Sequence, residues 1–157
     1  MENMTNEEIM AGGVVGGMSI AIVSMIALVW ILFQIIAMWK IFNKAGVPGW
    51  HSIIPILNIY DLFNICWKGV YGLLFMIFSV ISSLASSYYQ KDPSTMLMAV
   101  MAISAIIVVV LGVISMHKLS KSFGHGIGFT IGLVLLEPIF LLVLGFGSSR
   151  YIGKEDM

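Results

Sequence analysis

Long apolar runs alternate with short polar breaks along this chain, and four runs are of membrane length: 18–39, 70–87, 96–116 and 127–146. The run 18–39 holds twenty-two residues, with Ser19, Ser24 and Gln34 as its polar side chains. At about 1.5 Å per residue it makes roughly 33 Å of helix, enough for a hydrocarbon core of about 30 Å. In 70–87, Gly72, Met76, Ser79, Ser83 and Ser86 recur at steps of four and three. That spacing gathers mostly small residues into one seam where a second helix can approach closely. The run 96–116 is rich in Ile and Val, with Ala99, Ala102 and Ala105 as small contacts, and 127–146 is interrupted by Glu137-Pro138.

A fifth apolar stretch, 53–67, behaves differently. Its fifteen residues give about 22 Å of helix, short for a crossing, and it carries Pro55, Asn58, Asp61 and Asn64. Asn58, Asp61 and Asn64 fall three apart, with Lys68 four further on, and make a polar stripe. The pattern suits a helix lying in the interface or a re-entrant piece buried against a bundle. The expected fold is therefore all-α, a single membrane domain of four transmembrane helices plus one interfacial or re-entrant helix. Ahead of the first span, Thr5-Asn6-Glu7-Glu8 reads as a capping box, and Gly12/Gly16 and Gly13/Gly17 share a face.

The breaks fix where the helices stop. In Lys44-Ala45-Gly46-Val47-Pro48-Gly49-Trp50, Pro48 lacks an N–H and disfavours helix at Val47, while Gly46 and Gly49 tolerate turn dihedrals. Gly124, Gly126 and Gly128 form a second glycine-rich turn. The two breaks echo each other: Lys40 and Lys118 are each followed by a glycine six residues on, then by a proline-containing apolar run. Trp39, Trp50 and Trp67 suit the headgroup level.

Charge sets the orientation. With four spans, Lys40, Lys44, Lys68, Lys118 and Lys121 share one side, and Lys91, Arg150 and Lys154 share the other. The positive-inside rule then puts the N-terminus outside and the loops 40–52 and 117–126 in the cytoplasm, in a multi-pass protein of the cell membrane. The first 39 residues contain no Lys or Arg, so no cleavable signal peptide is expected and the first apolar helix stays as an anchor.

Composition agrees. Apolar residues are 59%, charged residues 10%, and mean hydropathy is +1.01. A soluble domain carries about 25% charged residues. Net charge is zero, which gives no electrostatic case for nucleic acid. The single cysteine, Cys66, excludes an internal disulfide and a cysteine-based zinc site.

The run from Trp39-Lys40 through Gly46-Val47-Pro48-Gly49-Trp50 to Ile53-Ile54-Pro55-Ile56-Leu57-Asn58-Ile59-Tyr60 is distinctive, as are Leu119-Ser120-Lys121-Ser122-Phe123-Gly124, Gly128-Phe129, Pro138-Ile139-Phe140 and Leu144-Gly145-Phe146-Gly147. Together, over roughly 30–151, they resemble a family of small bacterial and archaeal membrane proteins of unknown function, some of which carry a signal peptidase I label. The resemblance implies a compact multi-helix membrane fold and no established activity. Signal peptidase I uses a Ser–Lys dyad with the serine in a Ser-Met-x-Pro setting. Here Ser115-Met116-His117-Lys118 lacks the proline, and no strand-rich region is present.

Few side chains suggest chemistry. Glu137 stands at the centre of the fourth run, where a charged carboxylate costs about 2.5–3.5 kcal/mol. Pro138 frees the Val134 carbonyl beside it. Either Glu137 is a proton or cation site in a transport path, or it is a protonated carboxyl bonded to a neighbour such as Gln34 or a serine. Asp61 with Asn58, Asn64 and Lys68 makes either a polar cluster under the Pro48 turn or the wet side of an interfacial helix. His51, His117 and His125 fall on the basic side without metal-ligand spacing, and Met96, Met98 and Met101 read as flexible packing. No catalytic residue, cofactor or metal is expected. The expected partners are the bilayer and other membrane proteins or a second copy, with no nucleic acid. The expected role is non-enzymatic, in assembly, envelope maintenance or a larger complex. The alternative is a small transporter or channel built on the mid-membrane carboxylate.

Overall fold

A computed structural model describes the backbone of residues 6–154 and the side chains of residues 20–154. Among these residues every regular element is helical: α1 (Asn6–Lys44), a 3-10 helix (Gly49–Ile53), α2 (Pro55–Cys66), α3 (Gly69–Tyr89), α4 (Thr95–Ser122), α5 (Ile127–Leu135) and α6 (Glu137–Phe146). Among the described residues, three stretches are long and apolar enough to cross a membrane: Ile20–Lys44 of α1, α3 and α4. The Thr5 cap lies outside the described residues, as do the side-chain contacts expected of the glycine face at 12–17.

The chain divides into two compact units within α1, at Gln34 and Ile35. In the first, the described side chains are mostly exposed and apolar, Val23, Leu28 and Leu32 among them. The second holds everything else, around a core of Met38, Ile41, Phe42, Leu119, Leu133 and Leu144.

The fourth expected span is not one helix. The run 127–146 divides at Leu136, whose φ of −130° and ψ of 43° leave the helical region. Pro138 is the local cause. It occupies the first turn of α6, where a missing N–H removes no bond, so it starts a helix and does not kink a continuous one. The tertiary cause is aromatic. The Phe140 ring lies so close to Gly132 that a Cβ there would come within 2.2 Å of it, and the rings of Phe129 and Phe140 stand 5.1 Å apart. In a continuous helix residues 129 and 140 would be about 16 Å apart. α5 and α6 therefore form a helical hairpin.

α2 also folds back. Its Tyr60 ring covers Gly69, its Phe63 and the Ile59 carbonyl meet Gly72, and Ile56 lines a groove with Met76 and Ile77. Numbers fall along α2 as they rise along α3, so the two helices run antiparallel, side by side. Gly72, expected in the α3 seam, serves this contact. Ser79, Ser83 and Ser86 of the same seam face Ala105 and Val108 of α4.

The two breaks share one backbone motif. Gly46 and Gly124 both take positive φ, 77° and 76°. The amide after each reaches back five residues, Val47 N to Phe42 O and His125 N to Ser120 O, both at 2.9 Å. Each glycine's own amide reaches back three, to Asn43 O and Lys121 O. These are paired Schellman closures, and they explain the sequence echo. Gly49 does not supply a turn dihedral; its missing Cβ makes room for the Trp39 indole. Pro48 and Trp50 cap and enter the 3-10 helix, Gly126 is the N-cap of α5, and Gly128 lies in its first turn.

One end of the second unit collects the helix termini. Lys44 Nζ donates to the carbonyls of Leu144 (2.6 Å) and Gly147 (2.8 Å). Lys40 Nζ lies 4.2 Å from the centre of the Phe146 ring. Ile152 N donates to Ser122 O (2.8 Å), Tyr151 Oη to Ile65 O (2.6 Å), and Lys154 Nζ to Asn64 Oδ1 (3.4 Å). The hairpin thus returns the tail to the Lys44 end. Arg150 and Lys154 lie with this tail, beyond α6, while Lys91 lies in the turn between α3 and α4.

Candidate functional site

The tip of the α5–α6 hairpin carries the one acidic side chain of that apolar run. Glu137 is the first residue of α6, where the unbonded amides of a helix start favour a negative charge. Its side chain is exposed at protein level and lines a cavity of about 410 Å³ together with Phe63, Phe75, Gly112, Leu133 and Val134. Four helices besides α6 contribute to this wall, so both folded-back segments meet there. Ser115 also borders it, but its hydroxyl is buried and donates to Gly112 O at 2.8 Å. That bond sets Ser115 apart from a Ser–Lys dyad.

A second cavity, also about 410 Å³, lies between α3 and α4 and is lined by Ser79, Ser82, Ser83 and Ser86. Val109 borders both cavities. A serine-lined space and the Glu137 space therefore adjoin at one side chain.

The other candidate residues form a separate cluster. Asp61 is buried, and its Oδ2 lies 2.5 Å from His51 Nδ1. His51 stands at the end of the Pro48 turn, edge-on to Trp50. Asn58 Nδ2 donates to Ser52 O at 3.1 Å, and Asn64 accepts from Lys154. The stripe therefore bonds to the 3-10 helix and the tail, with Asn58 and Asn64 partly buried. Lys68 is exposed and lies outside these contacts. Ser52 Oγ is buried there with no hydrogen-bond partner.

The three histidines do not converge. His51 meets Asp61, His117 Nδ1 lies 3.1 Å from Thr130 Oγ1, and His125 Nε2 lies 2.8 Å from Ser149 Oγ. Among the described residues no group of three or more His, Cys, Asp or Glu could hold a metal. Gln34 is partly buried on α1, at the last position of the first unit. At the end of α2, burial pushes the Cys66 thiol up to about 12. Burial, and secondarily the nearby Cys66, also raises the Tyr151 hydroxyl above its usual range.

Sequence reasoning placed Asp61 and Glu137 as the two carboxylates of interest. It missed the Asp61 partner as a paired contact, and it missed Lys44 as the residue that ties α6 to α1. No local pattern signals a bond between residues 100 positions apart.

Long apolar helices, an exposed apolar surface and polar groups gathered at one end and one hairpin tip define an all-helical membrane protein. The chain belongs to the family of unknown function DUF5684, which matches residues 50–154. That match takes in both folded-back segments, α3 and α4. No functionally curated protein and no solved structure matches the chain.

Proposed function

We propose that this is a multi-pass membrane protein with three crossing helices and two re-entrant segments, and that it moves a proton or cation through the bilayer by way of Glu137. The single observation carrying this reading is the broken hairpin with a carboxyl at its tip, opening on a cavity shared by both re-entrant segments. α6 has ten residues, about 15 Å, so a tip reached from the lysine-rich face lies near the middle of a core of about 30 Å. Discontinuous helices that meet at mid-membrane leave backbone groups unbonded, and such backbone is tolerated where it lines a cavity or is buried in protein. α2, at twelve residues or about 18 Å, reaches a similar depth from the same face.

With three crossings the basic residues divide seven to one, Arg150 and Lys154 joining Lys40, Lys44, Lys68, Lys118 and Lys121. That division supports a cytoplasmic lysine-rich face, with the N-terminus and Lys91 outside. Ser115 is buried and its hydroxyl donates to Gly112 O, which gives the signal peptidase label no support.

The test is flux in reconstituted vesicles. Proton or cation movement above that of empty vesicles, abolished in Glu137→Gln, is the expected result. Flux equal to that of empty vesicles would remove transport. It would leave the assembly, envelope or complex-partner role, for which the exposed apolar face of α1 offers surface.

A further inference from the structure

We infer that the Glu137 cavity binds a hydrophobic cation: an ammonium or phosphonium centre carried on an apolar body. This deepens the transport reading and rests on it for its physiological sense, because it names the class of solute that the same carboxyl meets. The binding itself requires no flux.

Size comes first. About 410 Å³ falls within the range of roughly 300–1,000 Å³ typical of small-molecule sites. The wall decides the chemistry. It is apolar nearly throughout, and Glu137 is the one ionisable side chain on it. A neutral lipid tail would satisfy the apolar wall and leave the carboxyl without a partner. A small hydrated cation would meet the carboxyl but lose its water to a wall whose other side-chain oxygen, that of Ser115, is buried. An anion would be repelled. A cation spread over an apolar body satisfies both features at once. Its surface leaves water for Leu133, Val134 and the aromatic rings, and its charge faces the carboxyl in a medium where charge attraction is strong. Phe63 and Phe75, with ring centres 5.5 Å apart, stand on the same wall and can face a cation.

Gly112 gives a second handle on the cavity. A Cβ added there meets its nearest neighbour, the Phe75 ring, at 3.7 Å, an ordinary contact. A Cβ at 112 is thus accommodated, and a larger side chain there projects from the cavity wall and leaves Glu137 in place.

The probe is tetraphenylphosphonium, titrated by calorimetry into the full chain in nanodiscs of zwitterionic lipid. Saturable binding at one site per chain is expected. Glu137→Gln should weaken it about tenfold or more, as loss of a charge contact does, and Glu137→Asp should retain most of it. Gly112→Leu should weaken it comparably by filling the space. Thermal midpoints measured without the probe show that each variant is folded. Uptake no greater than that of empty nanodiscs, or saturable binding unchanged in Glu137→Gln or Gly112→Leu, overturns the inference. Proton flux without this binding would sink the inference and spare the transport reading; binding without any flux would do the reverse.

Discussion

Lys44 donates from one ammonium to the carbonyls of both Leu144 and Gly147, joining the last turn of α1 to the last turn of α6. A cation at a helix C-terminus pairs with carbonyls that have no intrahelical donor. The contact also carries topological meaning. It brings the end of the fourth apolar run to the end of the first, which a single crossing by 127–146 would prevent.

Sidedness follows from that contact. Cysteines introduced as Val47→Cys and Gly153→Cys should be protected together from a membrane-impermeant maleimide applied outside intact cells, and Lys91→Cys should react. Permeabilised cells should label all three. Reaction of Gly153→Cys from outside would mean that 127–146 crosses the membrane, and the hairpin would be lost with it.

How far the chain could be read without coordinates depends on the kind of signal. The three long spans were legible because length and apolarity are local properties, and α3 and α4 appear close to where the pattern puts them. The helix stops were legible too, since Gly46 and Gly124 announce themselves by residue type. The hairpin was not. A twenty-residue apolar run with one Glu-Pro pair inside it is as compatible with a kinked span as with a reversal, and the deciding contact, Phe140 on Gly132, is a tertiary one. The Asn58-Asp61-Asn64 stripe was seen, but whether it faces water or protein depends on His51 and the tail, which no periodicity reports.

The matched Schellman closures make a quantitative prediction. Gly46→Ala and Gly124→Ala each force a Cβ into positive φ. Each should lower stability by about 1–2 kcal/mol, measured by chemical denaturation in detergent. The two effects should add in the double variant, because the glycines close different helices and share no partner. A neutral effect at either position would show that its helix end relaxes out of the left-handed conformation.

Asp61 and His51 should behave as a coupled pair. Asp61→Asn leaves His51 with a weaker partner, and Asp61→Leu leaves it with none in a largely buried place. The expected cost is about 1–3 kcal/mol for the leucine variant and less for the asparagine. In a double-mutant cycle with His51→Ala the losses should fall well short of the sum. Strict additivity would mean the two side chains are independent in the membrane.

Cys66 gives a pH-dependent readout. Its folded thiol titrates near 12 against an ordinary value of 9.0, so between those values the unfolded chain holds fewer protons than the folded one. Stability from this group is intact below about pH 9 and declines as pH rises toward 12. Cys66→Ala should flatten that alkaline decline and leave the pH dependence below pH 9 little changed. The native thiol should also resist maleimide at pH 8 and react once the protein is denatured, since the thiolate is the nucleophile. Rapid labelling of the folded protein at pH 8 would contradict its burial.

The sharpest test of the fold couples Gly132 to Phe140. A methyl group at 132 already falls 2.2 Å from the Phe140 ring, so Gly132→Val should displace that ring and cost about 1–3 kcal/mol. Phe140→Ala removes the obstacle and leaves a space that valine can partly fill. The double variant should therefore be more stable than the sum of the single losses allows, by about 0.5–3 kcal/mol. In a continuous helix residues 132 and 140 stand about 12 Å apart along the axis, beyond contact, and their effects would simply add. Denaturation of the four proteins in one detergent distinguishes the two: coupling requires the reversal at Leu136, and additivity restores an unbroken fourth crossing.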